Sequence, residues 1–141
     1  MRRWFAVMVA VLTGACVTTQ PSAPKPPEWL ALKERIEPDD TPDCRLSRYG
    51  VGGVSGVKNQ ALRRQSAMSA ARGDMSGRLK ACWSKRLEGK FPHQSEISDE
   101  VPRVSYEMAL QEIIGRELDS AVVVERWAPD VETEWVYLRT K

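Results

Sequence analysis

Apolar and polar positions change their period twice between residues 104 and 140. In "VSYEMALQEIIGRELDS" (104–120), Met108, Ile113 or Ile114, and Leu118 fall on one side at helical spacing, which predicts an amphipathic helix. "AVVVERW" (121–127) and "EWVYLRT" (134–140) are β-rich runs separated by "APDVET", whose Pro129-Asp130 marks a turn. They are predicted to pair as a hairpin, with Trp127 and Trp135 flanking the turn. Upstream, "RYGVGGVSGV" (48–57) spaces Tyr49, Val51, Val54 and Val57 around four glycines, the pattern of a strand with a bulge. A helix is predicted from Lys58 onward. Ala61, Met68, Ala71, Met75, Leu79 and Cys82 share one of its faces, while Arg63, Arg64, Arg72, Arg78 and Lys85 fall largely elsewhere. Gly73 and Gly77 weaken that helix by about 1 kcal/mol each relative to alanine. The approach of another backbone would account for them.

These elements, in the order β-α-α-β-β, predict one small α+β domain over residues 44–141. Its sheet has about three strands, with two helices packed on one face. A strand, glycines and a helix also form the setting of a phosphate loop, but the residues do not fit one. Gly56 is followed by Val57, Lys58 and Asn59, where a Walker loop needs Gly-Lys-Ser/Thr. Counting a dinucleotide turn from Gly50 puts Ser55 where the last glycine belongs. No nucleotide and no other cofactor is expected.

The chain opens "MRRWFAVMVAVLTGAC". Two arginines, a short apolar run and small residues before Cys16 read as an export signal over residues 1–15. The run is about half of the ~20 residues that span a bilayer. "LTGAC" resembles a bacterial lipobox, in which the cysteine carries the acyl chains, and Cys16 is the expected lipidation site. Each buried methylene contributes ~0.8 kcal/mol and stable anchoring takes at least two chains, so a triacylated Cys16 would hold the protein at a membrane. Val17, where an aspartate would retain such a protein at the inner membrane, points to the outer one, with the domain facing the periplasm. Residues 16–43 then read as the lipidated cysteine and a tether. Pro21, Pro24, Pro26 and Pro27 favour an extended spacer, and Trp29, Leu32 and Ile36 are spaced for a short helical turn before Pro38. Removing the signal takes Arg2 and Arg3 from the 21 basic side chains and leaves 19 against 19 acidic ones. That balance weakens the case for nucleic acid as a partner.

An exported chain meets an oxidising space, so Cys44 and Cys82 are a candidate disulfide. An extended segment from residue 44 and a helix returning to residue 82 would cover similar lengths and bring the two together; two free buried thiols are the alternative. The acidic cluster Glu37, Asp39, Asp40 and Asp43 lacks the glycine and terminal glutamate of a calcium loop and reads as solvated linker. His93 stands alone in the polar stretch 89–103, "GKFPHQSEISDEVPR", with neither the partners of a zinc site nor those of a triad. No catalytic and no metal-binding residue is therefore assigned.

The lipobox, the tether, "YGVGGVS", "NQALRRQSAMSAAR" and "VVVERWAPDVETEWVYLRTK" together resemble the LPP-twenty class of small bacterial lipoproteins, over residues 48 to about 72 and 121 to 139. The resemblance implies a compact α/β domain without catalytic activity, used for assembly at the cell envelope. The expectation is a membrane-anchored lipoprotein that docks on itself or on an envelope protein complex. The alternative is a cell-wall or lipid-binding module. Its interaction surface would draw on Arg63, Arg64 and Arg72 of the arginine-rich helix together with Trp127 and Trp135.

Overall fold

A computed structural model describes residues 24–35, 38–88 and 100–141 of the chain. Two 3-10 turns, η1 (Glu28–Lys33) and η2 (Arg45–Ser47), precede strand β1 (Tyr49–Val54). Helices α1 (Gln60–Glu88) and α2 (Glu100–Asp119) follow, then strands β2 (Ala121–Trp127) and β3 (Glu134–Thr140). The three strands form one antiparallel sheet in the order β1-β3-β2, with the hairpin strand β3 in the centre. This is the α+β fold and the element order that the periodicities predict.

Helix α1 starts at a capping residue. The Asn59 side-chain oxygen accepts the Leu62 amide at 3.0 Å, and its carbonyl accepts the Arg63 amide at 2.9 Å, which satisfies amides that the first turn leaves without partners. The buried positions then run Ala67, Ala71, Met75, Leu79 and Cys82. A step of four residues overshoots a 3.6-residue turn by about 40°, so this stripe winds around the helix. Its early part, Ala67 and Ala71, packs on Val136 and Leu138 of β3. Its later part, Met75, Leu79 and Leu87, packs on Leu110 and Ile114 of α2. One winding stripe thus serves two neighbours. Ala61, expected on this face, is exposed, and Met108, expected on the inner side of α2, is turned outward while Leu110 takes its place.

The glycines of β1 admit the helix. A Cβ on Gly52 would stand 2.0 Å from the Ala71 nitrogen, and one on Gly50 would stand 2.1 Å from the Ala71 oxygen. Backbone meets backbone there, which is why a strand poor in side chains is tolerated. The predicted bulge is not in β1, whose register runs unbroken from Tyr49↔Arg139 to Val54↔Glu134. It lies in β2, between Val123 and Glu125. Gly73 and Gly77 do the opposite of what was expected of them. Among the described residues nothing outside the helix itself lies within 4 Å of a Cβ built on either, so no other described backbone approaches them.

The opposite face of the sheet is covered too. Trp29 of η1 is buried and stacks on Tyr137 at 5.8 Å and 15°, and Tyr49 meets Tyr137 edge-on at 6.4 Å. Packed structure therefore extends at least to Glu28, sixteen residues before the domain boundary read from the sequence. A proline-rich approach does not prevent a tryptophan downstream of it from finding an aromatic surface. At the other end, helix α2 begins at Glu100, inside the stretch read as loop. Pro102 is tolerated there because the first turn of a helix has no use for its missing amide. His93 and the rest of residues 89–99 lie outside the described residues, as do residues 1–23.

Gly52→Ala should destabilise the domain by about 3 kcal/mol in urea unfolding, since the new methyl meets helix backbone that cannot step aside. Gly73→Ala should stabilise it by up to about 1 kcal/mol. Equal effects at the two positions would contradict this reading of the seam.

Candidate functional site

The face of α1 that looks past the edge of β1 carries three side chains one turn apart, Asp74, Arg78 and Cys82. Each ties the helix to a different upstream segment. One Asp74 carboxylate oxygen accepts the Val51 amide at 2.9 Å, which occupies a donor on the outer edge of β1. Arg78 spends all five of its N–H donors. Its Nε donates to Asp74 at 3.0 Å, one terminal nitrogen to the Arg35 carbonyl and the Tyr49 hydroxyl at 2.8 and 2.7 Å, and the other to the carbonyls of Leu32 and Lys33 at 3.0 and 2.8 Å. A cation on the last carbonyls of a helical turn satisfies acceptors that otherwise lack partners. The Tyr49 hydroxyl donates to the Leu32 carbonyl at 3.2 Å, and its ring lies 4.4 Å below the guanidinium.

Cys82 is bonded to Cys44, with Cα atoms 5.9 Å apart and a sequence separation of 38. The pairing is the one expected, but the path to it is not. Residues 45–47 form η2 rather than an extended strand, and Cys44 takes a left-handed backbone conformation at φ 53°. Beside it, Asp39 accepts the Thr41 amide and hydroxyl and the Ser47 amide. Burial pushes the Asp39 carboxyl up, and the hydrogen bonds from Thr41 and Ser47 outweigh it and hold the group below its ordinary 3.8. The acidic residues read as solvated linker thus include one that ties the segment down.

Between η1, residues 38–48 and α1 these contacts leave an open groove of about 940 Å³. Its helical wall is a track of small residues, Gly73, Gly77 and Ala81, that ends at Lys85. Seven lysine or arginine residues line it against two carboxylates, Asp39 and Asp74. Both carboxylates are turned inward on the hydrogen bonds just described.

The expected interaction surface is divided by the fold. Arg63 is buried, 8% exposed, and donates to the carbonyls of Val57 (2.9 Å), Lys58 (3.4 Å) and Val131. Its Nε stands 3.7 Å from buried Glu134, which also receives Arg126 at 2.9 Å. Arg63 is therefore an internal staple between the start of α1 and the hairpin turn, not a surface group. Such a buried cation is tolerated because it is paired and hydrogen-bonded. Arg64 is exposed, and Arg72 is partly exposed, 3.8 Å from Asp119. Trp127 and Trp135 stand opposite each other in register. They lie on the sheet face away from α1, because Glu134 and Val136, which flank Trp135, point inward. A Cβ on Gly53 would enter the Trp135 ring, and the Lys33 ammonium sits 4.7 Å from its centre. Both rings are only half exposed.

Sequence reasoning missed the residues that build the groove. The Asp74–Arg78 pair carries an i,i+4 signal that charge patterning could have found. Arg45 and Arg139 carry none, since they meet only through the fold. Among the described residues no group of three metal-ligating side chains comes together, and no helix is long and apolar enough to cross a membrane. Comparison of the chain with protein-family models, with curated proteins and with solved structures finds no match.

Breaking the bridge with Cys44→Ser and Cys82→Ser should cost on the order of 4 kcal/mol by the chain-entropy treatment, read as a lowered urea midpoint that reductant reproduces in the wild type. Asp39 supplies a pH dependence. Its folded value lies below the unfolded one, so its contribution is fully present above the ordinary carboxylate range and is lost as pH falls through the folded value. Asp39→Asn should therefore flatten the loss of stability below about pH 4, measured by urea unfolding across that range. An unchanged acid limb would contradict the role given to Asp39.

Proposed function

We propose that this chain is a lipid-anchored lipoprotein of the bacterial outer membrane with a non-catalytic assembly role, docking on itself or on an envelope complex from the periplasmic side. The observation that carries the docking part is the outer edge of the sheet. Among the described residues strand β2 pairs on one side only, and Val122, Val123 and Val124 in its middle are 37%, 39% and 53% exposed. Three neighbouring valines on an unpaired edge are a template for another strand. The bulge at this point limits indiscriminate pairing and favours a partner shaped to it. The bridge between Cys44 and Cys82 is consistent with an oxidising compartment. The resemblance to LPP-twenty lipoproteins and the lipobox at Cys16 supply the anchor. The alternative surface of arginines and tryptophans has less support, because Arg63 is internal and both rings are only partly exposed.

Labelled palmitate should enter the wild-type protein and not Cys16→Ser, which should leave the membrane fraction. In mild detergent the native protein should run as an oligomer or a complex, and Val122→Lys with Val124→Lys should release a folded monomer. A native monomer that cross-links to nothing would overturn the docking reading, and palmitate-free protein would overturn the anchor.

A further inference from the structure

We infer that the groove between η1, residues 38–48 and α1 is a binding site for a ligand bearing a phosphoryl group. This goes beyond the envelope reading and does not rest on it. Six of the seven cations of the groove divide into two sets, and the seventh, Arg35, has a partner of its own. Arg78 is saturated by its own partners, Arg48 stands 2.8 Å from Glu117, and Lys33 lies over Trp135. Arg45, Lys85 and Arg139 are exposed and make no ion pair among the described residues. They come from three separate places, η2, the last turns of α1 and the end of β3. The fold gathers them around a space whose two carboxylates are already engaged with amides or with Arg78.

Three unmatched cations select for a ligand of more than one negative charge. A single carboxylate would leave most of that charge unanswered, whereas a phosphate monoester carries nearly two charges at neutral pH, and two of the three cations are arginines, whose planar forks match phosphate oxygens. The helical wall is shaped for an occupant as well. Gly73 and Gly77 put no side chain into the groove, and among the described residues nothing outside the helix's own backbone lies within 4 Å of a Cβ built on either. Neither glycine is required by packing, yet both widen the floor below the cations. Leu46, 55% exposed at the rim, offers an apolar rest for whatever carries the phosphoryl group.

The test uses the purified full chain carrying Cys16→Ser with its disulfide intact, so that acyl chains do not drive binding. Calorimetric titration with pyrophosphate at low ionic strength should show saturable binding that weakens as salt is added, while acetate should show none. Arg45→Ala, Lys85→Ala and Arg139→Ala combined should lower the pyrophosphate affinity at least tenfold, and Arg64→Ala, outside the groove, should leave it unchanged. Gly77→Leu should lower it comparably while raising the urea midpoint, an opposite movement that general damage to the fold would not produce. Flotation with phosphatidic acid vesicles against phosphatidylcholine vesicles separates the sources. Binding to the former that pyrophosphate competes away assigns a lipid headgroup, and pyrophosphate binding without vesicle binding assigns a soluble phosphate ester. Absence of saturable binding to either probe, or an affinity that the triple variant leaves unchanged, would overturn the site.

Discussion

The guanidinium of Arg78 is the contact on which the N-terminal half of this domain depends. Five donors reach five acceptors, and those acceptors belong to α1, to β1, to the last carbonyls of η1 and to Arg35 just beyond it. No apolar contact could replace it, because the end of η1 presents carbonyls that must be met by donors. The geometry that lets Arg78 reach them is set one layer deeper. Gly50 and Gly52 bring the helix backbone down onto β1, so a side chain leaving α1 can pass the strand edge and arrive on the far side of the sheet. Asp74 and Cys82, a turn before and a turn after, fix the same seam through an amide and a disulfide.

This seam makes the two edges of the sheet unequal. On β1 the outer edge is closed by a carboxylate and a helix pressed against it, and Trp29 covers the face beside it. On β2 the outer edge has no such cover among the described residues, and its valines are exposed. Sheet edges are hazards unless they are blocked or used. Here one is blocked by intramolecular chemistry, and the other carries a bulge and no covering segment among the described residues. The groove also follows from the seam, since its floor is the same helix and its walls are the segments that Arg78 and the disulfide hold in place.

Much of this was legible from residue types. The hairpin strands were read to the residue because β-branched and aromatic runs bracket a Pro-Asp turn, and local chemistry of that kind does not depend on the rest of the fold. The Cys44–Cys82 pair was legible from parity and compartment. The role of the β1 glycines was not, because a bulge and a close helix contact leave the same signature in one strand. Arg63 was misplaced for a similar reason. An arginine on a helix reads as exposed unless its buried partner is known, and Glu134 lies 71 residues away in sequence. Trp29 was hidden among prolines that signal a tether, and the basic groove was invisible because Arg45, Lys85 and Arg139 share no spacing.

Amide hydrogen exchange across the first 3-10 turn, compared between the wild type and Arg78→Lys, tests the central contact most directly. Lysine keeps the charge and the stem but offers one nitrogen in place of a five-donor fork. The Leu30 amide, which donates to the Pro27 carbonyl at 3.1 Å, should exchange at least about tenfold faster in the variant, equivalent to roughly 1.4 kcal/mol of lost protection, while amides of the β2–β3 hairpin keep their rates. Equal exchange at Leu30 in the two proteins would mean that η1 is held by something other than Arg78.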